Sequence, residues 1–307
     1  MKLRQLQCLC AVVDAGFNIS HAANVLHATQ PAVSKQLRQF EEELGIDLLQ
    51  RQAGRPVALT PEGEQTLAWA RRAMQCSQNI LQLARNSKGE TGGTIALGTS
   101  HSPANYLVLP AIVAFCRRFP SVRVTVLQGT PDEVARLVRD GAAALAVTSE
   151  PGELPKETIA VPFLTSRRLV IAPAAHPVLK EKKLTLEAVA AHPLIIQRSS
   201  RPGGPRIAQK FEQAGLAAHV AVQALDADVI KTYVRSGIGI GIIPAFSFSA
   251  VRDRGLRVLD AGHLFDPAVT VVVLRRQSHV PQAIFQFLAE LDPSLEKERL
   301  DALVFER

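Results

Sequence analysis

The chain has 307 residues, of which 47% are hydrophobic and 21% are charged, and its formal net charge is +7. This length is enough for two or three compact domains, and the composition is ordinary for a globular protein that folds alone. The sequence has no run of about eighteen consecutive apolar residues and no small-residue cleavage site near its N-terminus. Both observations argue against a membrane or exported protein, so we expect a cytoplasmic location.

Neither the net charge nor the cysteines assign a function. Residues 1–60 hold six Lys and Arg against five Asp and Glu, so the positive excess lies mostly elsewhere. The four cysteines have neither CxxC spacing nor nearby paired histidines; they are Cys8, Cys10, Cys76 and Cys116. We therefore expect no disulfide, no metal site and no cofactor.

The first sixty residues begin with two predicted helices. Four apolar residues recur with helical spacing and predict one buried face of the first helix: Leu3, Leu6, Cys10 and Val13. Gly16 ends this helix, and Asn18 is a good N-cap for a short second helix.

A third helix is marked at both ends, by Thr29 as a cap with Pro31 in the first turn, and by Gly45 at the close. Its predicted inward residues are Val33, Leu37, Phe40 and Leu44. Its outward residues are Gln30, Ser34, Lys35 and Arg38. Amide and hydroxyl groups can read base edges while cations bind phosphates, so this face suits the major groove. Periodicity alone equally allows a plain three-helix bundle with a polar surface.

The segment IDLLQRQAGRPVALT predicts a strand, a Gly-Arg-Pro turn and a returning strand. This wing would carry Arg51 and Arg55 near the DNA backbone or the minor groove. We therefore predict a winged helix-turn-helix over residues 1–60.

The segment AANVLHATQPAVSKQLRQFEEELGIDLLQR, followed by LTPEGE, closely resembles the DNA-binding domain of LysR-type transcriptional regulators. The resemblance implies a helix-turn-helix over about 19–38. It implies that the following residues lie at the DNA, the last of them on its backbone: Thr29, Gln30, Pro31, Ser34, Lys35 and Arg38.

Residues 61–91 are predicted to form a linker helix, to about Ser87, and a hinge in the polar, glycine-rich segment NSKGETGG. The helix carries a seam with alternating spacings of three and four: Leu67, Ala70, Met74, Ser77, Leu81 and Ala84. Such a seam can pair with a second copy of the chain, or it can pack on its own domain.

Residues 92–307 alternate short β-like runs with helical patterns, which predicts an α/β domain with mostly parallel sheets. They resemble the effector domain of LysR-type proteins, which is similar to periplasmic binding proteins. The resemblance implies two lobes around a ligand cleft, lobe one at 92–164 and 268–307 and lobe two at 165–267.

Ser100 and Ser102 follow a predicted strand and precede a helix, so their hydroxyls join free N–H groups at a positive helix end. This arrangement suits an anion, although Ser residues there often only cap the helix.

The segments TSHSPANYLVLP, QGTP and DADVIKTYVRSGIGIGIIP resemble the CysB and Cbl branch of the family, the activators of cysteine and sulfonate-sulfur genes. The resemblance implies an oxyanion pocket that includes Ser100, Ser102 and Ser149, with Gln128 as a neighbour. The pocket tryptophan and threonine of that branch fall on Ser166 and Pro202 here, and its glutamine falls on Pro103. Substitute donors are available nearby at Arg198, Ser199, Ser200 and Arg201.

The resemblance implies a regulator that binds promoter DNA as a homodimer or homotetramer, contacts RNA polymerase and responds to sulfate, thiosulfate or an acetylserine. The alternative is a LysR-type regulator of another pathway with a carboxylate inducer. An enzyme is disfavoured because His101 has no partner set for catalysis, and a transport receptor because a DNA-binding domain precedes the cleft. The GIGIG segment lacks dinucleotide-loop spacing and predicts close backbone packing.

Overall fold

A computed structural model describes residues 1–52, 54–86, 93–198, 206–276 and 280–295, together with residues 300 and 304. The chain divides into two compact units, the first built on Met1–Thr91 and the second on Gly92–Arg139 and Ala143–Arg307.

The first unit is a winged helix-turn-helix, as predicted. Its elements are α1 (Leu3–Asp14), α2 (Ile19–Val25), α3 (Gln30–Leu44), β1 (Leu49–Gln52), β2 (Arg55–Leu59) and α4 (Pro61–Asn86). β1 and β2 form an antiparallel hairpin. The Asn18 side chain caps α2 by accepting the His21 N–H at 3.0 Å, whereas Thr29 is the N-cap of α3 without a side-chain hydrogen bond.

The buried face of α1 differs from the predicted one. Leu6, Leu9 and Val12 are buried, whereas Leu3 is half exposed. The reason is that α1 packs against α2, α3 and α4, so its buried surface is wider than one stripe. The prediction for Leu44 is also wrong: it lies in the last turn of α3, before the chain turns away, and is exposed.

The second unit contains two five-stranded sheets flanked by helices. Its first elements are β3 (Gly93–Thr99), α5 (His101–Pro103), a π-helical segment (Ala104–Val108), α6 (Leu109–Arg118), β4 (Val122–Gln128), α7 (Pro131–Arg139), β5 (Leu145–Ser149) and β6 (Thr158–Ser166). There follow β7 (Arg168–Pro173), a 3-10 helix (Pro177–Lys180), α8 (Leu186–Ala190), β8 (Leu194–Gln197), α9 (Arg206–Gln213), β9 (Val220–Ala224) and α10 (Ala227–Arg235). The last are β10 (Ile240–Pro244), a 3-10 helix (Ala245–Ser247), β11 (Leu256–Asp260), β12 (Ala268–Arg275) and α11 (Gln282–Leu291).

Each sheet defines one lobe. The sheet of lobe one has the order β4-β3-β5-β12-β6, and the sheet of lobe two has the order β11-β7-β10-β8-β9. Separate hydrophobic clusters cover the faces of each sheet. The α/β architecture with two lobes is therefore confirmed.

The prediction of mostly parallel sheets is wrong. β3 is parallel to β4 and β5, and β8 is parallel to β9 and β10. In contrast, β12 is antiparallel to β5 and β6, and β7 is antiparallel to β10 and β11. Each of these antiparallel pairs contains β7 or β12, the strands with which the chain enters a lobe after crossing from the other. These entering strands run opposite to their neighbours in the sheet.

The chain crosses from β6 to β7 at Arg167 and returns from β11 to β12. The two crossings are adjacent, since Ser166 pairs with Ala268 in the lobe-one sheet. Within the described ranges, no helix has the length and apolarity that a membrane span requires.

Candidate functional site

The outward face of α3 is exposed to solvent. Gln30, Pro31, Lys35 and Arg38 are exposed and Ser34 is half-buried, while Val33, Leu37 and Phe40 hold the opposite face in the core. Thr29, at the N-cap, is also exposed. The structure thus presents the predicted DNA-contact residues of this helix on one accessible surface.

The two wing arginines differ in their surroundings. Arg51 pairs with Glu41, with one nitrogen, Nη1, 3.3 Å from Oε1 of that carboxylate. The buried Glu41 carboxylate also accepts the backbone N–H groups of Leu48 and Leu49 at 3.0 and 3.2 Å. Arg55 is exposed at the start of β2. Arg51 therefore joins the end of α3 to the wing, a role that its sequence position did not reveal.

The linker helix α4 begins in the core of the first unit. Leu67 and Ala70 are buried there and Met74 packs against them, so this part of the predicted seam packs on its own domain. Trp69 and Ile80 are 67% exposed on the same helix. The side chains of Leu81 and Ala84 lie outside the described residues.

The three predicted serines all line the cleft between the two lobes. Ser100, Ser102 and Ser149 line it together with Thr130 and His101. Ser100 is the N-cap of α5, whose helical path continues through the π-helical segment into α6. The first turn of such a helix leaves N–H groups without intrahelical partners, so donors and a positive dipole end face the cleft.

Each serine hydroxyl is held in place by a neighbour. Ser100 Oγ accepts a hydrogen bond from Thr148 Oγ1 at 3.0 Å, and Ser102 Oγ accepts the Ala227 N–H at 3.1 Å. Ser149 Oγ lies 2.7 Å from Thr270 Oγ1. Because Ser100 and Ser102 act as acceptors in these contacts, their own protons are available to donate to an oxyanion.

Of the other predicted residues, Gln128 and Ser166 lie beside the lining, whereas Arg198 is part of it. Gln128 ends β4, next to the lining residue Gly129. Ser166 is buried and accepts the N–H of Phe246, which does line the cleft. Arg198 is exposed and lines the cleft. Pro202, with Ser199, Ser200 and Arg201, lies outside the described residues.

Sequence reasoning missed several charged groups of the cleft. Arg168, Arg206 and Glu150 line it, and Arg168 is 3% exposed. An arginine directly before the apolar strand LVIAP was a signal, because a cation at a buried strand start needs a specific partner.

A charged network joins the lobes beside the cleft; we call it the inter-lobe network and define it as Asn105, Tyr106, Asp228, Lys231 and Asp253. Asn105 Nδ2 donates to Asp228 Oδ2 at 2.9 Å, and the Tyr106 hydroxyl donates to the other oxygen of that carboxylate. Lys231 is 1% exposed and lies 2.9 Å from Asp228 and 3.1 Å from Asp253. Lys231 also donates to the Tyr106 hydroxyl.

Hydrogen bonding sets the protonation states of this network. Burial raises the pKa of Asp228, but hydrogen bonds from Tyr106, Lys231 and Asn105 more than offset it, so this pKa lies below its usual value. Burial lowers the pKa of Lys231, but hydrogen bonds to Tyr106, Asp228 and Asp253 and the charge of Asp228 raise it above its usual value. The ion pair is therefore charged at neutral pH.

The sequence is similar to known regulators over nearly its whole length. It is 34% identical to the HTH-type transcriptional regulator CysB of Burkholderia cenocepacia, over 98% of this chain and 96% of that protein. It is 32% identical to SsuR of the same species, covering 100% and 99%, and 33% identical to cbl of Escherichia coli K12, covering 100% and 97%. All three are named as transcriptional regulators, and none is named as an enzyme.

Solved structures show the same fold. The cofactor-binding domain of the Cbl transcriptional regulator superposes with a TM-score of 0.66 at 34% identity, covering 71% of this chain and 96% of that one. A full-length OxyR variant from Pseudomonas aeruginosa gives a TM-score of 0.76 at 21% identity, covering 95% and 94%.

Two family descriptions match the two units of the chain. Residues 3–64 match the bacterial regulatory helix-turn-helix protein of the lysR family, and residues 88–295 match the LysR substrate binding domain. With the winged helix, the two-lobed cleft and the full-length relatives, these matches establish that the chain belongs to the LysR family of DNA-binding transcriptional regulators.

Proposed function

We propose that this regulator controls sulfur-assimilation genes and responds to a small oxyanion of that metabolism: sulfate, thiosulfate or an acetylserine. The observation that carries the proposal is the convergence of the Ser100, Ser102 and Ser149 hydroxyls in one cleft, at the start of a helix. The full-length similarity to CysB, SsuR and cbl supports the assignment to sulfur metabolism.

The proposed ligand contacts follow from hydrogen-bonding capacity. Ser100 and Ser102 can donate their protons to an oxyanion, and Ser149 and the helix N–H groups add further donors. Gln128 and Ser166 would act from behind the lining, by supporting its neighbouring segments.

The proposed DNA contacts divide by chemistry. Gln30 and Ser34 would read base edges, whereas Lys35, Arg38 and Arg55 would bind phosphates. Thr29 and Pro31 would set the entry of α3, and Arg51 would act mainly by holding the wing through Glu41.

We further propose a homodimer that assembles to a homotetramer and acts on RNA polymerase at promoters in the cytoplasm. Trp69 and Ile80 on α4 supply exposed apolar surface for pairing with a second copy. Two DNA-binding domains on one operator would multiply weak contacts made by each.

Calorimetric titration with sulfate, thiosulfate, O-acetylserine and N-acetylserine tests the effector, with benzoate as the aromatic control. We expect one sulfur-pathway anion to bind, and Ser100→Ala to weaken it about tenfold, since a hydrogen bond to a charged group contributes on the order of 1.5 kcal/mol.

Ser236→Ala is the matched control, because its hydroxyl bonds to the Tyr233 carbonyl and does not line the described cleft. Binding of benzoate alone would move the regulator to another pathway with a carboxylate inducer, the second candidate function, since the same hydroxyls suit a carboxylate.

A further inference from the structure

A buried threonine lies directly behind one serine of the proposed oxyanion site. Thr148 is on β5, the central strand of the lobe-one sheet, and its side chain is fully buried. The Thr148 hydroxyl donates to Ser100 Oγ at 3.0 Å. Ser100 is among the residues that line the described cleft and Thr148 is not, so Thr148 acts on a ligand through its neighbour rather than by contact.

The direction of this hydrogen bond is fixed. Within the described part of the chain, Ser100 Oγ is the one hydrogen-bond partner of the Thr148 hydroxyl. A buried hydroxyl that lost its acceptor would be left unsatisfied, which costs free energy. The strand is also held on both sides, because β5 lies between β3 and β12 and Thr148 pairs with Val271. The proton between the two residues therefore belongs to Thr148.

The backbone of Ser100 is bound as well, which leaves its hydroxyl proton without a partner. The Ser100 N–H donates to the Val147 carbonyl at 3.3 Å, and the Ser100 carbonyl accepts the Ala104 N–H at 3.0 Å and the Thr99 hydroxyl at 3.1 Å. Among the described residues the Ser100 proton has no acceptor, and a lone pair of Oγ faces Thr148. This proton is accordingly free for a ligand in the cleft.

The donor behind Ser100 favours an anion in two ways. A hydroxyl that accepts one hydrogen bond is polarised and becomes a stronger donor in the next. The same hydrogen bond keeps the Ser100 proton out of the position that faces Thr148, so fewer hydroxyl orientations remain for the ligand to order. Both effects reach the ligand through a single atom, Ser100 Oγ.

We propose that Thr148 is a positioning residue of the oxyanion site, which orders the Ser100 hydroxyl as a donor toward the cleft. The inference rests on the proposed contact between Ser100 and the effector, and it adds a residue that the effector does not touch. It predicts that the two side chains are coupled in ligand binding, because the Thr148 hydroxyl acts only through that of Ser100.

A double-mutant cycle tests the coupling, by calorimetry of the full-length protein with N-acetylserine. Thr148→Val, which removes the donor and keeps the branched shape, should weaken binding about threefold in the wild-type background. The same substitution should change nothing in the Ser100→Ala background, because the hydroxyl through which it acts is absent. Thr148→Ser retains the donor and should bind as the wild type does.

Thr99→Val is the matched control. Thr99 is equally buried and its hydroxyl also bonds to Ser100, but to the carbonyl, which Ser100→Ala retains. Its effect on affinity should therefore be the same in both backgrounds. Equal losses from Thr148→Val in both backgrounds would show a purely structural role and overturn the proposal, as would unchanged affinity in the single variant.

Thr148→Cys takes the place of Thr148→Val in the cycle if the latter does not fold, with the same expectations, because a thiol is a weak donor.

Cycles with sulfate, thiosulfate and benzoate separate this inference from the proposed function. Binding of a sulfur-pathway anion without coupling between Thr148 and Ser100 would refute the positioning role and leave the sulfur effector in place. Binding and coupling with benzoate alone would support the positioning role and refute the sulfur assignment, since a carboxylate accepts from the same hydroxyl. Binding of none of these anions, N-acetylserine included, would overturn both.

Discussion

Gly241 lies on β10 in the centre of lobe two, where a side chain has no room. A Cβ built there would lie 2.6 Å from Ile230 Cγ2 and 2.9 Å from both Ile171 Cγ1 and Val234 Cγ2. These contacts fix the approach of α10 to the sheet. Since α10 carries Asp228 and Lys231, the small residue on the strand helps to place the inter-lobe network.

Gly241→Ala should lower the free energy of unfolding by about 2 kcal/mol, because overpacking a filled core costs on the order of 1–3 kcal/mol. Urea unfolding followed by circular dichroism measures it. Fluorescence of Trp69, the single tryptophan, reports the first unit and should not change.

Gly237→Ala is the control for this prediction. Gly237 has a φ of +82° and no heavy atom within 4 Å of a built Cβ, so its cost of about 1 kcal/mol comes from the backbone alone. An equal or smaller loss in Gly241→Ala would contradict close packing as the reason for that glycine.

The residues that the sequence predicts best are those whose role is local. Ser100 and Ser102 could be placed at a helix start because strand and helix adjoin in the sequence. The GIGIG prediction of close packing is confirmed for Gly239 and Gly241, but Gly237 serves a positive φ. Glu150 and Arg168 could not be paired beforehand, because they meet only when two sheets fold against each other.

Helix α3 is the element on which the proposed DNA recognition depends. Its inner face is anchored by Val33, Leu37 and Phe40, and Gly45 ends it in the left-handed conformation. The outer face therefore has a fixed orientation, and its side chains differ in chemistry along the helix.

Gln30→Ala and Ser34→Ala should reduce the preference for the operator by about 1–3 kcal/mol per lost base contact. Lys35→Ala and Arg38→Ala should weaken binding to all sequences and reduce the salt slope by about 1. Fluorescence anisotropy with operator and scrambled DNA at several salt concentrations distinguishes the two effects.

The matched controls are Gln65→Ala, an exposed amide on α4, and Arg117→Ala, an exposed cation on α6. Unchanged binding in all four α3 variants would show that another surface contacts the DNA.

Element types could be predicted from the sequence because hydrophobic spacing and caps mark them. The buried face of α1 was misjudged because three neighbours cover it, and Leu44 because the chain turns away after it. The strand directions could not be predicted, because they depend on where the chain crosses between the lobes.

At the scale of the whole molecule, the inter-lobe network opposes separation of the lobes. Tyr106 lies in the π-helical segment of lobe one and contacts both Asp228 and Lys231 of α10. Ser102, one turn earlier, holds the Ala227 N–H at the start of the same helix. The segment that carries Ser100 and Ser102, the proposed ligand contacts, is thus fixed to lobe two.

Tyr106→Phe should cost about 1 kcal/mol of stability at pH 7, the ordinary worth of a lost hydrogen bond to a partly exposed group. Asp228, whose pKa is lowered in the folded state, contributes stability above its unfolded pKa of about 4, and this contribution is lost as the pH falls through the folded value. The difference between variant and wild type should therefore shrink below about pH 4.

Hydrogen–deuterium exchange of α10 at pH 7 provides a local readout. Urea unfolding at pH 7 and below about pH 4 gives the free energies of unfolding of variant and wild type. Tyr233→Phe, which alters an exposed phenol on the same helix, should change neither. Exchange of α10 that is unaffected by Tyr106→Phe would show that the lobes are joined by other contacts.

The pairing of Ser166 with Ala268 gives the molecule a nested architecture. Lobe two leaves and re-enters lobe one between neighbouring residues of one sheet, so topologically it is an insertion into the connection of a β-hairpin formed by β6 and β12. Insertions whose ends lie close together are tolerated by the host domain. Lobe two is accordingly an exchangeable module, and a short turn in its place would keep the sheet of lobe one continuous.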